Sequence, residues 1–450
     1  MYNIIMYAIQ LGVAIASLFN EKVRKMWRGE REAFRILKEQ VDPNAQYVWF
    51  HAASLGEFEQ GRPIIEQLRQ EYPEYKILLT FYSPSGYEVR KNYQGADIIC
   101  YMPIDTVTNA RRFLRLVRPC MAFFIKYEFW YNFLHILKHR NVPTYSVSSI
   151  FRPNQVFFRW YGKSYGRVLR CFTKFFVQNE QSKELLNSIG ITEVEMTGDT
   201  RFDRVLQIKE AAKELPVVEE FLFEEGGRRK EEGDSSKSKV FVAGSSWLPD
   251  EEIFIKYFNE HRDWKLIIAP HVIGEDHLQQ IEKLLEGRKV IRYTEAAKTD
   301  SQLSTVNCPL GSAASLCEEL STFEVLIIDC FGLLSSIYRY GQVAYVGGGF
   351  GVGIHNLPEA AVWDIPVFFG PNNERFQEAQ ELKKNGGGLE IHNYEEFAAR
   401  MDELTADPAS LLKRGEAAGG YVKGNAGATE IILRQLTVLR IAKRQSRAES

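Results

Sequence analysis

Polar side chains that could carry chemistry stand directly after several short apolar runs of this sequence. In YVWFHAASLGEFEQ the apolar run is followed by Ser54, Gly56 and Glu57, and then by an amphipathic stretch. A glutamate at such a position can take the proton from an attacking hydroxyl group, as a general base does. Ser54 and Glu57 also match the capping box, in which a serine caps a helix and a glutamate reaches back to the cap. The spacing alone leaves both roles of Glu57 open.

A second pair of charged residues follows the apolar run MAFFI. Lys126 and Glu128 stand in IKYEFWYN, before a stretch with helical periodicity. In sheets of parallel strands, ligands bind outside the carboxyl ends of the strands. Residues directly after a strand are therefore candidates for substrate contacts, and both Lys126 and Glu128 qualify.

The second half of the chain has strand ends of its own. Its candidates for ligand contact are Ser245 and Ser246 in VAGSSWLPDEE, Pro270 and His271 in IIAPHVIGED, and Gly332 in IIDCFGLLSS. The last of these motifs offers free backbone N–H groups where a helix begins, and such groups stabilise an anion.

A glycine-rich segment, VAYVGGGFGVGIHNLPEAA, is the clearest motif of the second half. No G-x-G-x-x-G can be drawn through it and it comes late in its domain, so it is not a dinucleotide fingerprint. Gly349 and its neighbours favour a loop that a ligand can approach closely, before a helix start that favours phosphate. Asn356 and Glu359 stand at that helix start, where a carboxylate can accept hydrogen bonds from a sugar or ribose. The alternatives are a simple tight turn and a Glu359 that only complements the helix dipole.

The elements that must position these residues alternate between short apolar runs and helix-period segments. The first strand candidates are Tyr47–His51, Lys76–Phe81, Ile98–Tyr101, Met121–Ile125, Thr144–Val147 and Phe175–Val177, and a second series begins at Lys239–Ser246. This rhythm predicts an α/β protein with two Rossmann-like, doubly wound domains, whose parallel sheets are buried on both faces. The charged segment FEEGGRRKEEGDSSKSK between the two series is typical of a solvated loop. We place the domains at 22–205 and 206–430, and a C-terminal helix at 431–450.

The N-terminus has a different character. Its first 20 residues, MYNIIMYAIQLGVAIASLFN, carry no charged side chain. A helix of about 20 residues is ~30 Å long, which matches the hydrocarbon core of a bilayer. The segment lacks the basic leader and cleavage site of a signal peptide, so we expect a retained membrane-anchor helix over 1–21. Basic residues at positions 22, 24, 25 and 28 predict that the following domain is cytoplasmic. The alternative is a buried or surface-lying helix, because polar residues dilute the apolar run.

Composition excludes several classes of protein. Of the 450 residues, 45% are hydrophobic and 25% are charged, as in a globular protein with a sizeable core. A net charge of −2 argues against a dedicated nucleic-acid binder. Six scattered cysteines without a C-x-x-C pair suit reduced thiols in a cytoplasmic compartment. His135 and His139 are four residues apart but lie in no zincin motif, so we predict no metal.

Together these motifs resemble a known family. HAASLGE, KYEFWYN, GSSWLPDEE, IIAPH and VGGGFGVGIHNLPEAAVWDIPVFFGP, after an apolar N-terminal helix, are similar to the 3-deoxy-D-manno-octulosonic acid (Kdo) transferases. The resemblance implies a GT-B fold, in which two Rossmann-like domains face a cleft, with an N-terminal membrane-anchor helix. It implies inverting transfer of Kdo from CMP-Kdo to lipid IVA, the lipid A precursor of lipopolysaccharide, at the cytoplasmic face of the inner membrane. It implies no cofactor, no metal and no nucleic acid, and it leaves the oligomeric state open.

The resemblance also implies roles for the matching residues. The general base is Glu57, and the acceptor and sugar side comprises Ser54, Gly56, Lys126 and Glu128. The donor CMP-Kdo is expected at Ser245, Ser246, Pro270, His271, Gly332, Gly349, Asn356 and Glu359. Two family positions differ here: the arginine of the A-P-R-H element is absent before His271, and Leu333 replaces the glutamate of the D-x-x-G-E element.

A basic and aromatic stretch, RPNQVFFRWYGKSYGRVLRCFTKF, starts at Arg152. Cations interleaved with aromatic rings suit an anionic membrane surface or a lipid phosphate. We expect a helix here that docks on the membrane together with the anchor. Solvated charge above a core is the alternative.

Two rival functions fit the same pattern. One is another GT-B enzyme that uses a UDP-sugar, either a glycosyltransferase or an epimerase. The other is a membrane-tethered nucleotide-binding module without turnover. One domain offers an acidic residue after a strand, and the other offers a phosphate-binding loop. A protein that only binds a nucleotide needs just one of these features, so the pair argues against a binding module without turnover.

Overall fold

The structure is a computed structural model that describes residues 2–212, 214–223, 239–304 and 320–436. The chain forms two compact units. Unit 1 runs to Arg204 and resumes at Asn425, and unit 2 runs from Val205 to Gly424. The division at 204 and 205 lies next to the boundary placed from the sequence, while residues 425–430 belong to unit 1. Of the expected C-terminal helix, residues 437–450 lie outside the described part of the chain.

Unit 1 alternates strands and helices. Its strands are β1 (Tyr47–Ala52), β2 (Lys76–Phe81), β3 (Ile98–Tyr101), β4 (Met121–Ile125), β5 (Thr144–Ser149), β6 (Lys174–Val177) and β7 (Val194–Met196). The helices up to the unit boundary are α1 (Tyr2–Ala16), α2 (Glu21–Gln40), α3 (Leu55–Glu71), α4 (Pro84–Arg90), α5 (Val107–Val117), α6 (Tyr131–His139), α7 (Lys163–Gly166), α8 (Glu180–Ser188) and α9 (Arg201–Glu210). The strands form one parallel sheet in the order β3-β2-β1-β4-β5-β6-β7. The six strands expected from the apolar runs are confirmed.

Both faces of this sheet are buried, which explains the continuous apolar runs. Successive side chains of a strand point to opposite faces. Trp49 of β1 therefore packs into a core with Phe113 of α5 and Phe133 of α6. Its neighbour Phe50 packs into a second core with Ile64 of α3.

Unit 2 repeats this architecture. Its strands are β8 (Lys239–Ser246), β9 (Trp264–Pro270), β10 (Val290–Arg292), β11 (Val325–Ile327), β12 (Val343–Val346), β13 (Val367–Phe369) and β14 (Gly388–Glu390). Its helices are α10 (Pro216–Phe221), α11 (Leu248–Glu260), α12 (Glu275–Leu284), α13 (Tyr293–Ser304), α14 (Leu334–Ile337), α15 (Leu357–Ala361), α16 (Gln377–Asn385), α17 (Tyr394–Ala406) and α18 (Pro408–Gly424), and α19 (Ala428–Gln435) follows in unit 1. The strands form a parallel sheet in the order β10-β11-β9-β8-β12-β13-β14. The second predicted Rossmann-like half is confirmed.

The N-terminal segment folds as a helix of 15 residues, α1, and not over the full 21 residues expected. One side of α1 contacts the rest of unit 1, and there the Tyr2 hydroxyl donates a hydrogen bond to Asp105 at 2.7 Å. Apolar side chains elsewhere face outward: Ile4 is 75% exposed, and Phe19, just past the helix, is 84% exposed. Across the described residues, we find no helix with the length and apolar character needed to cross a bilayer.

The basic and aromatic stretch is not one helix, and that expectation is wrong. It contains one α-helix, α7, which is only four residues long. Two short 3-10 segments, Val156–Phe158 and Trp160–Gly162, precede α7, and a third, Arg167–Cys171, follows it. The aromatic side chains divide accordingly. Phe157 joins the core, whereas Trp160 is 84% exposed.

Candidate functional site

The turn after β1 carries the predicted base. The Ala53 carbonyl accepts hydrogen bonds from the backbone N–H groups of Tyr82 (3.3 Å) and Ser83 (2.7 Å), which ties this turn to the end of β2. The Ser54 hydroxyl contacts the half-buried Glu57 carboxylate and makes no bond to the helix backbone. The capping box is therefore not formed. Glu57 lies in the first turn of α3, near the positive end of the helix dipole.

A polar chain of buried side chains holds Glu128 after β4. Its carboxylate contacts His51 Nε2 at 3.2 Å and accepts from Trp130 Nε1 at 2.6 Å. His51 Nδ1 lies 2.9 Å from the Thr80 hydroxyl, which accepts from Trp49 Nε1 at 2.8 Å. The Thr80 hydroxyl also donates to the Phe50 carbonyl at 3.3 Å, so it does not fix the tautomer of His51. We assign a proton to His51 Nε2 because this nitrogen faces the Glu128 carboxylate, which accepts hydrogen bonds. Glu128 is thus fixed by two N–H donors.

Lys126 shares this edge of unit 1. Its backbone has φ 67°, in the left-handed region, and its N–H donates to the Val147 carbonyl at 2.8 Å. The next side chain, Tyr127, lies 3.4 Å from an Arg152 guanidinium nitrogen. Burial raises the pKa of Tyr127, and Arg152 opposes this shift. The edge therefore carries acidic and basic side chains together, a combination that suits a polar ligand.

The predicted residues of unit 1 converge at one edge of the sheet. β1 and β4 are paired neighbours, and Gly56, Glu57 and Glu128 all follow their carboxyl ends. Sequence reasoning did not assign roles to His51, although a histidine inside the apolar run YVWFHA was a usable signal.

In unit 2 the two predicted serines behave differently. Ser245 has φ 52°, so the backbone at the end of β8 is in the left-handed region. Ser246 is buried, and its hydroxyl donates to Glu251 at 2.8 Å. His277 Nε2 lies 3.2 Å from the same Glu251 oxygen, and burial raises the pKa of Glu251. Ser246 therefore holds the first turn of α11 and does not present its hydroxyl to a ligand.

The glycine segment makes close contacts with the backbone of neighbouring turns. A Cβ at Gly347 would lie 2.3 Å from the Ser245 carbonyl oxygen, and one at Gly349 would lie 2.5 Å from the Gly370 nitrogen. Gly348 has φ 92°, a backbone conformation that residues with a side chain rarely adopt. These glycines bring the turns after β8, β12 and β13 against one another.

Three flat rings stack beside this segment. His271, directly after the buried Pro270, stacks on Trp247 at 4.7 Å and on His355 at 4.4 Å, as measured between ring centroids. Trp247 Nε1 donates to His355 Nε2 at 3.3 Å. Burial, aided by the neighbouring His271, lowers the pKa of His355 to about 4, and burial also lowers the pKa of His271. Both imidazoles are therefore neutral at pH 7 and can donate hydrogen bonds but supply no positive charge.

Asn356 and Glu359 form a polar pair at the start of α15. The Glu359 carboxylate accepts from Asn356 Nδ2 at 2.7 Å and from the Ser335 hydroxyl at 3.2 Å. The Asn356 Oδ1 atom is buried and has no partner among the described residues. A buried acceptor without a donor is costly, so a ligand hydroxyl or amino group would satisfy it. Ser335 was missed because nothing in its sequence neighbourhood marks it.

Gly332 lies in the turn after β11 and has φ 93°. A Cβ added at this position would meet no atom of the described residues within 4 Å. The turn is therefore open at that point, as the sequence suggested for a ligand contact. The structure thus brings Gly349, Asn356, Glu359 and His271 to strand ends of one sheet.

Comparison with known proteins gives consistent results. Residues 28–204 match the family described as 3-deoxy-D-manno-octulosonic-acid transferase (kdotransferase). The 3-deoxy-D-manno-octulosonic acid transferase of Aquifex aeolicus is 27% identical over 79% of this chain and 85% of its own. That of Chlamydia muridarum is 25% identical over 94% of this chain and 93% of its own. The structure of UDP-GlcNAc 2-epimerase from Neisseria meningitidis bound to UDP-GlcNAc superposes with a TM-score of 0.59, at 16% identity, over 87% of this chain and 99% of that chain. Such a likeness shows the shared GT-B-like fold alone.

Proposed function

The chain belongs to the Kdo transferase family of enzymes, and on that premise we propose that it moves Kdo from CMP-Kdo to lipid IVA with Glu57 as the general base. The observation that carries this proposal is the placement of Glu57. It is a half-buried carboxylate in the first turn of α3, which follows β1, and Glu128 follows the neighbouring strand β4.

The proposed chemistry needs one proton acceptor and one stabilised leaving group. An acceptor hydroxyl attacks the anomeric carbon of Kdo, and its proton passes to the Glu57 carboxylate. The bond from that carbon to the CMP phosphate oxygen breaks, and the electron pair leaves with CMP. Attack on the face opposite the leaving group inverts the configuration.

Unit 1 supports acceptor binding in this proposal. Glu128, held by two N–H donors, can accept a hydrogen bond from a sugar hydroxyl without moving. Lys126 adds a positive charge at the same edge, suited to an anionic acceptor such as lipid IVA. Ser54 keeps the Glu57 carboxylate oriented through its hydroxyl.

Unit 2 supports donor binding. Asn356 Oδ1, which has no partner in the described part of the chain, and the Glu359 carboxylate are acceptors for ribose or sugar hydroxyl groups. Gly332 lets a nucleotide approach the backbone, and Gly349 holds the glycine segment against Gly370 beside it. Pro270 and His271, with Ser245, line the end of the central strands, where the neutral ring stack offers a flat apolar surface to a base.

We further propose that unit 1 is attached to the cytoplasmic face of the inner membrane. The outward apolar side chains of α1 and the exposed Trp160 and Tyr161 support this, since amphipathic and aromatic surfaces partition into the bilayer interface. Flotation with anionic liposomes tests the idea. Protein lacking residues 1–21 should keep weakened binding, and replacing both aromatic residues as well should abolish it. Complete loss on truncation alone would remove the aromatic segment from the proposal.

Nucleotide protection separates the proposed function from its rivals. We expect CMP to raise the thermal unfolding temperature, and UDP to leave it unchanged. Release of CMP from CMP-Kdo should then require lipid IVA. Protection by UDP instead would favour a UDP-sugar enzyme, and CMP binding without lipid-dependent release would favour a binding module.

A further inference from the structure

A cavity of about 740 Å³ opens in unit 2 beside the glycine segment. This volume lies within the ~300–1,000 Å³ that is usual for small-molecule sites. Its lining comes from the glycine segment and from the loop after β13: Gly351, Val352, Pro371, Asn372, Glu374 and Arg375. Two of these side chains, Glu374 and Arg375, carry charge.

Hydrogen bonds fix the two walls of the cavity against each other. The Asn372 backbone N–H donates to the Gly349 carbonyl at 2.8 Å, and its side-chain Nδ2 donates to the Gly351 carbonyl at 2.7 Å. Arg375 donates from one terminal guanidinium nitrogen to the Val352 carbonyl at 3.1 Å. A guanidinium has five N–H donors, so this single bond orients Arg375 and leaves donors for a ligand.

The residues predicted to bind the donor include no side chain that is positively charged at pH 7. His271 and His355 are neutral at pH 7 because burial lowers the pKa of each. The start of α11 already carries Asp250 and Glu251 in its first turn, which oppose an anion there. A basic side chain elsewhere near the strand ends would add to the backbone N–H groups that can stabilise a phosphate.

Two basic side chains closely follow strand ends among the described residues of unit 2. Arg292, at the end of β10, is committed to Glu275 at 2.8 Å and to Glu282 at 2.7 Å. Arg375, after β13, is exposed and forms no ion pair with the described residues. Its guanidinium lies against the glycine segment through the hydrogen bond to Val352.

We propose that Arg375 binds the phosphate of the cytidylate part of CMP-Kdo in this cavity. The assignment rests on the proposed function and adds to it the residue that recognises the donor's charge. A guanidinium suits a phosphate because it offers two parallel N–H donors and stays charged at every physiological pH. Glu374, the acidic residue of the same lining, opposes the phosphate and weakens the site.

Binding of CMP and cytidine to the full-length protein tests the assignment, because the two ligands differ by the phosphate alone. We expect Arg375→Gln to weaken CMP binding by about 10- to 100-fold, as for loss of a charge-assisted hydrogen bond, and to leave cytidine binding unchanged. Arg375→Lys should restore part of the CMP affinity. Glu374→Gln should tighten CMP binding. Arg400→Gln, a basic residue of α17 away from the cavity lining, is the matched control and should change neither ligand.

The outcomes separate this inference from the proposed function. Equal weakening of CMP and cytidine by Arg375→Gln would show a role in loop structure and overturn the assignment. Unchanged CMP binding with a raised KM for CMP-Kdo would place the guanidinium on the sugar carboxylate, which also overturns it. If Arg375→Gln does not fold, the affinities of Arg375→Lys and Glu374→Gln for CMP decide the question. CMP affinities equal to that of the wild-type protein in both variants would refute the phosphate contact. If the Arg375 assignment is refuted but the wild-type protein binds CMP, the proposed function stands. If the wild-type protein binds no CMP, both the assignment and the proposed function are overturned.

Discussion

Replacing Glu57 by Gln separates its chemistry from its contribution to folding. The carboxylate contacts the Ser54 hydroxyl and lies in the first turn of α3. Glutamine keeps an oxygen for Ser54, so the variant loses about 1 kcal/mol of charge-assisted bonding. It also loses about 0.3–1 kcal/mol of interaction with the helix dipole. The free energy of unfolding should therefore fall by less than about 2 kcal/mol, which lowers the melting temperature by only a few degrees.

The expected effect on catalysis is much larger. A general base contributes about 10²- to 10⁴-fold to the rate, or roughly 3–5 kcal/mol of the barrier at ~1.4 kcal/mol per factor of ten. Glu57→Gln should lower kcat by at least that factor and leave CMP binding unchanged, because Glu57 belongs to unit 1 and the nucleotide is assigned to unit 2. The assay is Kdo transfer to lipid IVA under saturating donor, with thermal unfolding in parallel.

Glu59→Gln is the matched control for this experiment. Glu59 lies two residues further along α3 and pairs with Arg90 at 2.8 Å and Arg204 at 3.0 Å. Its loss should cost at least as much stability as the loss of the Glu57 charge and leave kcat within a few-fold. Near-normal turnover by Glu57→Gln, or an equal loss in both variants, would refute the assignment of the base.

Three further predictions follow from buried groups and close contacts. Burial raises the pKa of Glu30 to about 8 from 4.5, so stability should fall as pH rises through that interval, and Glu30→Gln should flatten the pH dependence of thermal unfolding. Glu128→Ala leaves two N–H donors without their acceptor and should cost about 1–3 kcal/mol of stability while raising the KM for lipid IVA. Gly349→Ala places a Cβ 2.5 Å from the Gly370 nitrogen and should cost about 1–3 kcal/mol and weaken CMP binding, as read by denaturant unfolding and titration. If a variant shows the stability and binding of the wild-type protein, the burial or contact from which its prediction was drawn is contradicted.

The strands of both sheets could be predicted because they are buried on both faces, so each is a continuous apolar run. The grouping of the candidate residues could be predicted for a related reason, because all residues that directly follow parallel strands lie at the same edge of the sheet. The pairing of His51 with Glu128 joins residues 77 positions apart and has no local signature. Likewise, the neutral state of His271 depends on its burial in a stack with His355, which only the folded loop brings near.

Two local expectations failed for physical reasons. The spacing of Ser54 and Glu57 fits a capping box, but the serine hydroxyl bonds the carboxylate in place of the backbone N–H group. The basic and aromatic stretch forms short helical turns, with Phe157 in the core and Trp160 exposed, and its alternation of cations and rings gave no sign of this division. Arg375 lies outside every motif that the sequence offered, and only the cavity shows it.

The most direct measurement is a mass spectrum of the lipid product formed by the purified protein from CMP-Kdo and lipid IVA. The account predicts that lipid IVA gains the mass of one or more Kdo residues with matching release of CMP, and that Glu57→Gln forms almost none of this product. Unmodified lipid IVA with the wild-type protein, under conditions where CMP-Kdo is bound, would contradict the account.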